Sequence, residues 1–245
     1  MRVNSTDLQN SFGKYLALVE KEDIIVLKNN KAVAKLSNYF DYRDYIKEEA
    51  RDYDSKSYRR VSYQEYLELL ECSDQRYELI DGEVFLMTSP SFRHQILVNE
   101  ISWHLNNYFR NHKCSPLTSP LDIKLHGYAP KFKEDPNVVQ PDLMVICDPE
   151  NVTDGKYQGI PALLVEVLSP STKKRDLILK LNLYLKSGVR EYWIVDPENK
   201  KVTQYIFTEN RDLKEVNDLV PDQILESEYF KELKISLQEI FSEKN

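Results

Sequence analysis

The stretch GIPALLVEVLSPSTKKRDLILKLNLYLKSGVREYWIVDP, residues 159–197, decides the fold. It opens on an apolar run, Leu163, Leu164, Val165, Val167 and Leu168, with the length and composition of a central strand. A helix follows at residues 173–186, stopped by Gly188, and then a second apolar strand at residues 191–195. One carboxylate, Glu166, interrupts the first strand. Burying a carboxylate without a partner is costly, so such a group is normally paired, hydrogen-bonded or bound to a cation. The earlier stretch QPDLMVICD, residues 140–148, supplies a partner, because Asp142 opens another apolar strand at residues 143–146. Two adjacent strands that each present one acid make a cradle for a divalent metal.

Working outward, Ser62 is expected to cap a helix ending near Cys72. Residues 77–80 should pair with 83–87 across Asp81-Gly82, a strong hairpin signal. A helix at 92–109 carries His94, Leu97, Ile101, Leu105 and Tyr108 along one face. Strands are expected at 121–125, 143–146 and 163–168, ahead of the helix and strand already described. Residues 202–207 add a further strand, the C-terminal residues read as a peripheral helical segment, and residues 127–138 as a surface excursion. The class is α/β with a mixed α+β sheet, in the element order αβββαβ.

That order, with Tyr77-Glu78-Leu79-Ile80-Asp81-Gly82-Glu83, Pro141-Asp142 and the block from Glu166 to Pro197, resembles the Uma-two family of the PD-(D/E)XK nuclease superfamily, whose core is restriction-endonuclease-like. The resemblance implies Mg²⁺ (or Mn²⁺) held by Asp142, Glu166 and the backbone carbonyl of Val167. Oxygen ligands favour these ions over Zn²⁺. It also places a histidine at position 94, able to contact phosphate or relay a proton, although a histidine at a helix start is often a satisfied core or cap residue. A Glu-x-Lys triplet would put lysine at position 168, where this chain has Leu168. Lys180 is the candidate replacement, since it shares a helix face with Leu177, Leu181 and Tyr184 and can reach over the acids to orient a water. The competing reading is a snorkelling lysine paired with Asp176. Asp142 could equally be a strand-start cap, and Glu166 a structural ion pair. Glu78 and Glu83 share one hairpin face, and either can complete the acid cluster, a solvated face being the alternative. The basic run Lys173-Lys174-Arg175 is either a phosphate contact or a solvated helix start.

Residues 1–55 read as a separate unit, with 56–245 the nuclease-like domain. Residues 2–4 are extended, Ser5 or Thr6 caps a helix running to about Glu20, and Leu8, Phe12, Tyr15, Leu16 and Val19 give it an apolar face. Strands at 24–27 and 32–36 flank an Asn-rich turn. This block resembles the N-terminal half of Phd/YefM-type antitoxins, which implies a homodimer that binds operator DNA, with Arg2, Asn4, Ser5 and Thr6 near the DNA surface.

The net charge of −7 is not that of an overall basic nucleic-acid binder. Residues 1–50 hold eight basic and eight acidic side chains against 25 and 32 in the remainder, so the acidic excess lies wholly in the second part. Clustered acids and a local basic groove can coexist there. No apolar run is long enough to span a bilayer and no leader pattern stands at the start, so the chain reads as cytoplasmic, with no membrane partner. Cys72, Cys114 and Cys147 are scattered without a Cys-x-x-Cys pair, and are expected to be buried reduced thiols.

The leading reading is a metal-dependent endonuclease acting on nucleic acid, duplex DNA above all, fused behind an antitoxin-like dimerisation domain. Its rivals are a non-catalytic DNA-binding regulator that retains the nuclease fold, and a toxin-like activity restrained by the first domain.

Overall fold

Parallel neighbouring strands cannot be joined by a tight turn and need a crossover. The computed structural model, which describes residues 1–19, 24–29, 31–36, 60–125, 136–153, 156–169 and 175–242, shows that crossover in the region that decides the fold. The chain divides into two units, Met1–Arg59 and Arg60–Asn245.

In the second unit, β12 (Leu163–Val167) and β13 (Glu191–Asp196) pair in parallel. Between them run a π-helical turn at Arg175–Lys180 and helix α5 (Leu181–Ser187), ended by Gly188 at φ 97°. That backbone geometry favours glycine. On one side β12 pairs antiparallel with β9 (Leu143–Ile146), which pairs with β6 (Ser115–Thr118). On the other side β13 pairs antiparallel with β14 (Lys201–Phe207), and β14 with the edge strand β15 (Leu213–Leu219). The sheet order is therefore β15-β14-β13-β12-β9-β6.

Every residue of β12 and β9 is buried, as a strand covered on both faces requires. Leu163, Val165 and Val167 join one apolar cluster with Leu143, Val145 and the buried face of α4 (Phe92–Phe109). Leu164 and Leu168 face the opposite way, with Met144, Ile146, Leu183 and Tyr184. A second sheet, in the order β10-β11-β7-β8-β4-β5, contains the hairpin of β4 (Tyr77–Ile80) and β5 (Glu83–Leu86), together with β7 (Ile123–Leu125), β8 (Asn137–Val139), β10 (Val152–Thr153) and β11 (Lys156–Tyr157). Asp81 and Gly82 both have positive φ, as the expected two-residue turn demands. Helix α3 (Tyr63–Glu71) begins in a reciprocal capping box of Ser62 and Glu65.

Three expectations are corrected here. The first strand of the core is Ser115–Thr118, while Ile123–Leu125 belongs to the second sheet. Ser-Pro-Leu-Thr lacks an apolar pattern because it lies at an exposed edge, where a proline is tolerated. The C-terminal residues are not a peripheral helical segment. They form β15 and the hairpin of β16 (Ile224–Glu226) and β17 (Lys234–Ser236), ending in a single helical turn, α6 (Leu237–Ile240). Leu225, Phe230, Leu233, Ile235, Leu237 and Ile240 pack into the core cluster. Third, Cys114 and Cys147 form a disulfide rather than two free thiols, and Cys72 is free but exposed. The register pairing Ser115 with Ile146 brings these two cysteines opposite each other, with Cα atoms 4.1 Å apart. A separation of 33 residues along the chain gives no hint of that juxtaposition.

The first unit comprises β1 (Arg2–Asn4), α1 (Ser5–Asn10), α2 (Phe12–Val19), β2 (Ile24–Lys28) and β3 (Lys31–Leu36), with sheet order β1-β2-β3. The expected single helix is broken at Ser11, whose backbone leaves the helical region, and Asn4 stands at the N-cap position in place of Ser5 or Thr6. The break changes which side chains face inward. Phe12 is 50% exposed, while Leu18 packs with Leu8 and Tyr15 against Val3, Ile24 and Val26. Glu20, the expected helix end, lies outside the described residues, as do Lys173, Lys174 and most of the expected surface excursion.

Candidate active site

The antiparallel register pairs Leu163 with Val145, Leu164 with Met144 and Val165 with Leu143. Asp142 and Glu166 lie one step beyond the last of these pairs, so side-chain alternation sends both acids toward the side of the sheet that Met144 and Leu164 face. Both line a cavity of about 940 Å³, together with Val167, His94, Arg175 and Lys180.

Each acid is held by protein donors through one oxygen. Asp142 Oδ2 accepts from the Val167 amide at 2.8 Å and stands 3.1 Å from His94 Nε2. Glu166 Oε1 accepts from Lys180 Nζ at 2.7 Å and from the Tyr184 hydroxyl at 3.1 Å. Among the described residues, no hydrogen bond reaches Asp142 Oδ1 or Glu166 Oε2.

Lys180 is only 2% exposed and touches three acids: Glu166, Glu78 at 2.9 Å and Asp176 at 3.6 Å. Burial would strip its proton, but Glu166, Glu78 and Asp176 more than offset this and hold it well above the ordinary lysine range. It is therefore an ammonium, a donor and not a base, at neutral pH. Burial pushes the Glu166 carboxyl well above the usual carboxylate range, with Lys180 opposing and Asp176, Asp142 and Glu78 reinforcing. A cation at its second oxygen would reverse that preference. Burial also acts to lower the His94 pKa, but the hydrogen bond and charge of Asp142, aided by Val167 and Asp176, carry it above the usual histidine value. His94 Nδ1 is buried without a hydrogen-bond partner among the described residues.

Glu78 has no solvent exposure. Its Oε1 contacts Lys180 and accepts from the Gln140 amide at 2.9 Å, and its Oε2 lies 3.3 Å from Arg175 Nη1. Glu83 stands apart from this cluster, half-buried near Asp81 and Arg60. Asp142, Glu166, Lys180, His94 and Glu78 are thus brought together, and Leu168, at the position of the expected triplet lysine, is buried among apolar side chains. Lys180 also keeps its four-residue pairing with Asp176, but its ammonium is buried along with its stem, so the expected snorkelling toward solvent is not seen. Sequence reasoning missed Arg175 as a buried member and Gln140 as the amide donor to Glu78. Gln140 stands next to Pro141-Asp142, the one signal that could have marked it.

Among the described residues, no three His, Cys, Asp or Glu side chains group closely enough to hold a metal by themselves. The residues nevertheless fit Mg²⁺ or Mn²⁺, because such ions are commonly bound through one or two carboxylates with water completing the shell. Asp142 and Glu166 each keep an oxygen for that purpose. Among the described residues, the ion pairs of Glu78, Glu166 and Asp176 in this cluster are made to Lys180 and Arg175.

An acid pair from neighbouring strands of a mixed sheet thus shares one cavity with a buried lysine from the crossover. The chain belongs to the Uma2 family, described as "Putative restriction endonuclease", whose sequence profile matches residues 63–238. It is 26% identical to uncharacterized protein slr1290 of Synechocystis over 171 residues, 69% of this chain and 86% of that protein. Its fold is similar to the crystal structure of "a putative nuclease" from Anabaena variabilis, with TM-score 0.60, 20% identity and coverage of 74% of this chain and 97% of that one. No helix among the described residues is long and apolar enough to cross a membrane.

Proposed function

We propose that the second unit is a metal-dependent endonuclease that hydrolyses phosphodiester bonds of nucleic acid, with duplex DNA as substrate, in the cytoplasm. The observation that carries this reading is the facing pair Asp142 and Glu166, each with one uncommitted oxygen on the same cavity. When bound by Asp142, Glu166 and the Val167 carbonyl, Mg²⁺ or Mn²⁺ supplies neutralisation of phosphate charge and acidification of a coordinated water.

The chain's own side chains do the rest. Lys180, kept charged, donates to a water or phosphate oxygen beside Glu166 and stabilises negative charge as it develops. His94 holds Asp142 Oδ2 in place through Nε2. Glu78 acts through Lys180 and is a positioning residue. The test is cleavage of supercoiled plasmid and of single-stranded DNA and RNA by the purified chain, with and without Mg²⁺ or Mn²⁺. Asp142→Ala should be inactive, and wild type that cleaves none of these with either metal would defeat the reading.

One observation favours the non-catalytic regulator instead: His94, Val167, Lys180 and Tyr184 already satisfy one oxygen of each acid. That reading expects duplex binding that is indifferent to metal and no turnover. The first unit is proposed to form an antitoxin-like, DNA-binding homodimer. Supporting this, Phe12 and Val33 are 50% and 56% exposed, large apolar surfaces that a second copy would cover. Full-length Phe12→Ser/Val33→Asp should sediment as a monomer where wild type sediments as a dimer.

A further inference from the structure

The two buried cations of the site, Arg175 and Lys180, are five residues apart. In an α-helix of about 3.6 residues per turn, side chains with that spacing point in different directions. Here residues Arg175–Lys180 are wound as a π-helix, whose i→i+5 hydrogen bonds stack residue 180 over residue 175. The consequence is visible at Glu78: one carboxylate receives both cations, Lys180 on Oε1 at 2.9 Å and Arg175 on Oε2 at 3.3 Å. π-turns are rare and recur at functional sites.

Arg175 is held from below as well. Phe85, paired with Glu78 across the β4–β5 hairpin, lies under the guanidinium with its ring centre 5.4 Å from Cζ. The side chain is 11% exposed and lines the same cavity as Asp142 and Glu166. A guanidinium carries five N–H donors. Glu78 Oε2 faces one nitrogen, Nε stands 4.0 Å from Asp176 Oδ1, and among the described residues the group makes no hydrogen bond of standard geometry. A planar cation fixed in place, with donors to spare and an aromatic floor, is built for an oxyanion.

We propose that Arg175 is a substrate-contacting residue whose guanidinium binds a non-bridging oxygen of the nucleic-acid backbone in the cavity beside Asp142 and Glu166. The inference deepens the nuclease reading and rests on it. It assigns separate tasks to the two cations: Lys180 serves the reacting centre and Arg175 holds the strand. Glu78 and the π-turn are what keep them side by side.

The test measures binding of a short fluorescein-labelled DNA duplex to the full chain by anisotropy in Ca²⁺, across a salt series, alongside cleavage kinetics in Mn²⁺. Arg175→Gln should weaken binding about tenfold or more at ~100 mM salt. It should also lower the slope of log affinity against log salt by about one, as loss of one phosphate contact requires. In cleavage, KM should rise more than kcat falls. Arg175→Lys keeps a cation opposite Glu78, so it preserves the fold if the glutamine variant does not, and should still lose several-fold in affinity with the planar fork gone. Wild-type affinity and salt slope in either folded variant would overturn the proposal while leaving the nuclease reading intact. If wild type binds with an Arg175-dependent slope yet cleaves nothing, Arg175 stands as a phosphate contact and the nuclease reading falls. A wild-type chain that neither binds nor cleaves defeats both.

Discussion

Asp142 and Glu166 lie one step beyond the Leu143–Val165 pair, the last in the antiparallel register of β9 and β12, and line the same cavity. Two carboxylates so placed would repel, and Asp142 is among the groups that raise the Glu166 carboxyl. The protein answers with an ammonium on Glu166 and with an amide and an imidazole on Asp142, and the cost of the arrangement is understandable if a divalent cation completes it.

Removing either acid should therefore remove metal binding without unfolding the sheet. Titration calorimetry with Mn²⁺ should show strong heats for wild type and none for Asp142→Ala or Glu166→Ala, and EDTA should abolish cleavage. Unchanged Mn²⁺ affinity in both variants would sink the assignment.

Lys180→Met should separate chemistry from metal binding. Losing one fixed charged donor at the reacting centre should slow cleavage by about two to three orders of magnitude, with Mn²⁺ affinity little changed. Because Glu78, Glu166 and Asp176 would lose their shared partner, stability should also fall, by roughly 3–5 kcal/mol. Rates must then be compared at a temperature where circular dichroism shows both proteins folded. A variant that cleaves at the wild-type rate would remove Lys180 from the chemistry.

Glu191 is a buried carboxylate with a different task. It accepts from Trp193 Nε1 at 3.0 Å, Ser227 Oγ at 2.9 Å and the Tyr229 amide at 2.6 Å, and so ties the C-terminal hairpin to β13. Glu191→Ala leaves these donors buried without an acceptor and should destabilise by about 3 kcal/mol or more in urea unfolding. Activity per folded molecule should stay at the wild-type level, since Glu191 does not line the cavity.

Glu83 carries a pH signature. Burial and Asp81 raise its carboxyl above the usual value, against the opposing Arg60. A carboxyl with a raised folded pKa binds its proton more tightly in the native state, so its stability contribution is present at acid pH and lost as pH rises from the unfolded value, about 4.3, through the folded one. Glu83→Gln should therefore melt like wild type at the acid end and above it near neutral pH. A difference in Tm that does not grow with pH over this range would contradict the assignment.

The central strands, the hairpin at Asp81-Gly82, the capped helix that begins at Ser62, the helix carrying His94 and the place of Asp142 and Glu166 on adjoining strands were all legible in the sequence. Those features rest on local physics: an apolar run too long to expose, a turn that needs positive φ, a cap beside a periodic face. A carboxylate inside such a run, Glu166, announces itself because burial demands a partner. Which partners it has is set by packing between elements distant in the chain. That Lys180 reaches Glu166 and Glu78, that Glu78 and not Glu83 joins the cluster, and that a π-turn draws Arg175 in beside Lys180 all depend on how two sheets and a crossover helix meet. The same holds for Cys114 and Cys147 and for the edge strand Ser115–Thr118. Their places are set by register across strands distant in the chain, and residue spacing along a sequence carries no information about registers not yet formed.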